Sequence, residues 1–201
     1  MKILKGVAGI TAAVLLLTLL LMPPERHVGR LLTLIYLHGA LIRSGAALFV
    51  LGGVAAIWAL ITDTPRAWRW VAALQITAWT TWVLGFIVSF YPSYVTWGAP
   101  VVWAEPRTRM VVNVALIAGV LFLSVRWLED RRWLAVASLL IAVTLPLLLW
   151  RTGVIRHPLD PVGSSPSNRL RLAYSIILLC TFILGGIATV WLQHKWEESS
   201  L

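Results

Sequence analysis

The chain has 201 residues, of which 59% are hydrophobic and only 12% charged, and its mean hydropathy is +0.84. That balance excludes an ordinary soluble domain and identifies an integral membrane protein. A net charge of +9 would suggest nucleic acid in a soluble protein, but here the basic residues are scattered over both membrane faces without an aromatic-basic groove. Anionic lipid headgroups are the partner they imply, and no nucleic acid is expected.

Six apolar segments are long enough to span a bilayer: residues 3–22, 31–61, 68–90, 110–128, 133–150 and 172–192. The connections Pro23-Pro24-Glu25-Arg26, Asp63-Thr64-Pro65-Arg66, Glu129-Asp130-Arg131-Arg132 and residues 151–171 cannot sit in hydrocarbon with their backbones unpaired. The expected fold is an all-α integral membrane protein, a single domain of six transmembrane helices with a tryptophan-bearing outer loop between helices 3 and 4.

The first span opens with Lys2 and Lys5, yet its apolar run continues to Met22 with no small-residue cleavage site, which predicts a retained anchor rather than a cleaved signal. Six spans put both termini on one side. Eight Lys and Arg fall on that side (Lys2, Lys5, Arg66, Arg69, Arg126, Arg131, Arg132, Lys195) and eight opposite. Short loops weigh most, so the compact turn at 126–132 favours cytoplasmic termini. The arginines opposite then need a reason, and an anionic ligand at the outer face supplies one.

The second segment, residues 31–61, is about 46 Å long as a helix, about 16 Å more than the hydrocarbon core. Counting back about 20 residues from its inner end at Asp63-Thr64-Pro65 sets Ile42 and Arg43 near the outer boundary and His38 just beyond it. Arg43 is then able to snorkel to the surface. His38 and Arg43 lie about 140° apart around the helix and do not share a face.

The third connection, residues 91–107, holds Tyr91, Tyr94, Trp97 and Trp103 with Pro92, Pro100 and Pro106. Such a composition predicts an ordered amphipathic loop or a short interfacial helix. Downstream, His157 stands beside Pro158, with Pro161, Gly163 and Pro166 following. That places it in a loop or at a helix end.

Four local patterns run in order along residues 30–192. They are Ile35-Tyr36-Leu37-His38 at the head of the second span, Trp97-Gly98 followed by Trp103, Asp130-Arg131-Arg132, and Leu145-Pro146 ahead of a loop histidine. Together they resemble the cytochrome c assembly family, in particular its haem exporter C type. The resemblance implies haem handling at the outer face of the cytoplasmic (inner) membrane, with haem b held non-covalently and transiently. It implies presentation to a haem chaperone, in concert with ABC-transporter subunits of a cytochrome c maturation system.

His38 and His157 correspond to the axial ligands of the haem iron in that family, and the tryptophan-rich loop packs on the porphyrin. The family loop reads approximately W-G-x-W-W-x-W-D, whereas this chain reads WGAPVVWAE. Pro100 and Val101 stand at the central tryptophan pair and Ala104 at the aspartate, with Glu105 one residue on. On the family reading, Trp97, Trp103 and Tyr94 cover the macrocycle, and Arg43, Arg107, Arg109 or Arg156 pair with propionates, for which the guanidinium fork is suited.

Each of these residues also has an ordinary use. Without the resemblance, His38 is an interfacial polar residue, Arg43 a lipid-phosphate partner, and Trp97 and Trp103 members of an aromatic belt with Trp58, Trp68, Trp70, Trp127, Trp133 and Trp150. His27 and His194 are expected in solvated positions, and Gly52-Gly53 and Gly185-Gly186 at close helix contacts. Cys180 is alone and C-x-x-C-H is absent, so the chain does not itself carry a c-type haem. No intramembrane carboxylate, metal-type cluster or phosphate-binding glycine loop appears, and turnover chemistry is not expected. The alternative to haem delivery is a haem-free structural or permease-like membrane subunit that retains the fold. A b-type electron-transfer cytochrome fits less well, since all four histidines lie outside the spans or at their rims.

Overall fold

A computed structural model describes residues 1–128, 130–155, 162 and 165–198. The helices are α1 (Lys2–Leu21), α2 (Leu32–Thr62), α3 (Pro65–Val88), α4 (Phe90–Trp97), α5 (Pro106–Leu128), α6 (Arg131–Arg151) and α7 (Asn168–Glu198), and no strand occurs among the described residues. Six spans are long and apolar enough to cross a bilayer, with α3 and α4 together forming one of them. The chain is an all-α, multi-pass membrane protein.

Helix ends follow from local chemistry. Asp63 closes α2 in the left-handed region at φ 45° and accepts the Trp68 indole N–H at 2.8 Å. Thr64 then caps α3 through the Ala67 N–H, with Pro65 in the first turn where no donor is missed. Asp130 caps α6 by accepting from the Arg132 N–H at 2.8 Å, and the Trp133 indole donates to Ser124 Oγ at 2.7 Å. These two tight hairpins fix α2 against α3 and α5 against α6.

The main core joins α2, α3, α5 and α6 around Phe49, Val71, Trp82, Ile141 and Leu145. Small residues let the backbones close in. A Cβ on Gly45 would lie 3.1 Å from the Trp82 amide nitrogen, one on Gly52 would overlap the Gln75 carboxamide, and one on Gly53 would overlap Ala142 Cβ. Gly185 meets Leu48 across the α2–α7 contact, but Gly186 has nothing within 4 Å. Of the two glycine pairs, only Gly186 departs from the close-packing expectation, because it faces away from α2.

Tryptophans do more than line the interface. Trp82 is fully buried and donates to the Val111 carbonyl at 3.0 Å, one turn from Trp79, which donates to the Ala115 carbonyl at 2.9 Å. Both indoles fasten α3 to α5. Trp127 and Trp150 are 93% and 82% exposed, as belt residues should be, whereas Trp68 is 6% exposed. Trp68 therefore leaves the belt for the α2–α3 hairpin, drawn in by its bond to Asp63.

A second, smaller core links α1, α2 and α7 through Met22, Leu32, Tyr36, Ala40, Tyr174 and Ile177. Tyr36 and Tyr174 meet edge to face at 5.1 Å between centroids. Just outside it, Glu25 accepts the N–H groups of His27 at 2.7 Å and Val28 at 3.0 Å and pairs with Gly29 in an isolated bridge. The Val28 and His27 N–H groups hold the Glu25 carboxyl below its ordinary value of 4.5. A carboxyl lowered on folding adds stability that is complete above its unfolded pKa and disappears as pH falls through its folded pKa. The turn is thus expected to open only in acid, read as a loss of amide protection at His27 and Val28, relative to the intrinsic exchange rate, as pH falls through the lowered Glu25 pKa. Glu25→Gln, whose amide oxygen still accepts but does not titrate, should abolish that pH dependence.

Candidate functional site

Consecutive spans alternate in direction, so the end of the bundle opposite the two termini gathers the start of α2, the α3–α4 corner, residues 98–105, the tail of α6 and the start of α7. Most of the residues singled out in the sequence belong to this end.

His38 lies on α2 and is half-buried. Its Nδ1 sits 2.8 Å from the Gly85 carbonyl oxygen of α3. A carbonyl only accepts, so Nδ1 carries the proton in this contact. The same carbonyl accepts the Ser89 N–H at 3.2 Å. Ser89 is the N-cap residue of α4, so His38 is fastened to the corner from which the tryptophan-bearing segment departs.

Of the two expectations for residues 91–107, a short helix describes their first part. Phe90–Trp97 is the helix α4, with Pro92 buried in its first turn, where proline is tolerated. Trp97-Gly98 is its stop signal: Gly98 takes φ 80° and its N–H bonds the Tyr94 carbonyl at 2.9 Å. Trp97 is half-buried; Tyr94 is 60% and Trp103 59% exposed. Arg107 and Arg109 fall not in a loop but in the opening turns of α5, which begins at Pro106. Arg107 is half-buried and Arg109 exposed.

Arg43 faces α7, away from the His38 contact, as the helical angle requires. Its guanidinium carbon stands 5.3 Å from the centre of the Tyr174 ring, a cation–π arrangement. His27 and His194 are exposed, with His194 3.7 Å from Glu197. His157 and Arg156 lie outside the described residues.

Two partners were not singled out in the sequence: Gly85 and Tyr174 receive His38 and Arg43, and neither carries a signal that one sequence reveals. Glu105, noted in the sequence one residue after the position of the family's aspartate, is fully buried, and its carboxylate oxygens accept the Ile155 N–H at 3.2 and 3.4 Å. No group of three or more His, Cys, Asp or Glu able to hold a bare metal ion exists among the described residues.

Compared with known proteins, the chain matches no family model and no characterised relative at a significant level.

Proposed function

We propose that this protein is a membrane haem-handling component of cytochrome c biogenesis, which takes haem as a transient cargo at the outer face of the cytoplasmic membrane and presents it to a partner. The observation that carries this reading is the His38 contact with Gly85. Metal-bound imidazoles characteristically donate their second nitrogen to a backbone carbonyl or carboxylate, which fixes the tautomer and orients the ring. His38 has that arrangement at the rim of the bundle, on the corner that leads into the tryptophan-bearing segment.

The chemistry of the donor set suits haem. His38 supplies one axial nitrogen and His157 the other, Trp97, Trp103 and Tyr94 offer aromatic surface to the macrocycle, and Arg107 and Arg43 offer forks to propionates. Bound between two imidazoles, haem iron is six-coordinate and protected from other ligands. The partners on this reading are a haem chaperone and ABC-transporter subunits, and the termini are cytoplasmic. Exposure of Trp103 and Tyr94 favours delivery over permanent retention, because a cargo covered on one side by an open shelf leaves more easily than one enclosed.

Haem titration of purified protein in nanodiscs tests the reading. Wild type is expected to bind one haem, His38→Ala to bind at least about tenfold more weakly, a loss of about 1.4 kcal/mol, and His194→Ala to match wild type. Equal binding by His38→Ala and wild type would refute it.

A further inference from the structure

The tail of α6 is poorly packed where it leaves the helix. Thr152 caps α6, its N–H bonding Leu148 at 2.8 Å, but a Cβ at Gly153 would meet nothing within 4 Å and the Ile155 side chain is 70% exposed. Side-chain burial therefore does little to fix Gly153 and Ile155, with only Val154 half-buried between them. Glu105 does bond there, from a site 50 residues away in sequence.

Burying a carboxylate is costly unless hydrogen bonds and favourable charge offset it. Glu105 obtains both. It immediately precedes Pro106 at the start of α5, whose positive end favours an anion. Its backbone is held on both sides, the N–H bonding Val102 at 3.0 Å and the carbonyl accepting Arg109 N–H at 3.3 Å. The side chain is thus a rigid post at the end of the tryptophan-bearing segment.

We infer that Glu105 is a positioning residue: its buried carboxylate clasps the Ile155 backbone and so sets where the next loop begins relative to the tryptophan-bearing segment. Resting on the haem reading, the clasp has a further role, because His157 follows Ile155 by two residues in sequence. Glu105 then anchors the segment that leads to the second axial ligand without touching the iron.

Two measurements on full-length protein test this separately. In a Cys180→Ser background, spin labels are attached through Ala104→Cys and Gly153→Cys, and their separation is measured without haem by pulsed electron resonance. A narrow distance distribution that broadens in Glu105→Ala supports the clasp; an unchanged distribution overturns it. Glu105→Gln, which keeps the shape but not the charge, is the second variant should alanine prevent folding, and is expected to broaden the distribution less.

The second measurement is the visible spectrum of haem-loaded protein. Loss of the low-spin six-coordinate signal in Glu105→Ala, with haem still bound one to one and the unfolding midpoint of the bundle unchanged, supports the ligand-placing role, since a merely structural defect would lower both. An unchanged low-spin spectrum overturns that role. Failure of wild type to bind haem overturns the haem reading and the ligand-placing role with it, while the spin-label distances still decide the clasp.

Discussion

Replacing Trp82 by alanine is expected to destabilise the folded bundle by about 3–5 kcal/mol, the range for deleting a large buried aromatic. The ring is fully buried, meets Phe49 edge to face at 6.2 Å, and donates its N–H to the Val111 carbonyl at 3.0 Å. Lipid tails cannot refill the space without parting α3 from α5, since van der Waals packing and hydrogen bonds are what hold helices together in a membrane. Trp82→Phe keeps most of the volume and loses the hydrogen bond, so it should cost much less, nearer about 1 kcal/mol. Unfolding in mixed micelles measures both variants; equal effects would show that the indole bond, not the ring volume, holds the contact.

Gly53→Leu is expected to be the second most damaging change, by overpacking instead of cavity formation. Even a Cβ at this position overlaps Ala142 Cβ on α6, so a branched side chain must push the two helices apart, at about 3 kcal/mol. The strain falls one turn before Pro146, which lies inside α6 and deprives the Ala142 carbonyl of its helical donor. Gly186→Leu is the control: with nothing within 4 Å of the site, it should change stability by no more than about 0.5 kcal/mol. A loss at Gly186 as large as at Gly53 would contradict the packing assigned here.

Hydrophobic run length identified all six spans, because nothing but a helix buries twenty apolar residues with its backbone paired. Their ends were less legible. α5 starts at Pro106 and α7 at Asn168, earlier than residues 110 and 172 where the apolar runs begin. Polar residues in the first turn of a helix do not register as hydropathy. Proline left a choice open: residues 91–107, with three prolines, are compatible with an ordered loop or a short helix, and Pro92 sits in the first turn of α4, where a proline does not interrupt a helix.

At the candidate site, residue type was informative and pairing was not. The angle between His38 and Arg43 correctly separated them onto different faces, but nothing in either residue's neighbourhood points to Gly85 or Tyr174. Pairing across 47 residues, as from His38 to Gly85, depends on how α2 settles against α3. That is decided by Gly45 and Gly52, where a missing Cβ lets the backbones approach, and so by packing detail that hydropathy does not encode.

If His38 ligates a haem cargo, the reduced-minus-oxidised visible spectrum of detergent-purified wild type from haem-replete cells shows bis-histidine haem, and that spectrum is lost in both His38→Ala and His157→Ala. A haem-free wild type would contradict that ligation and favour a structural or permease-like subunit built on the same bundle.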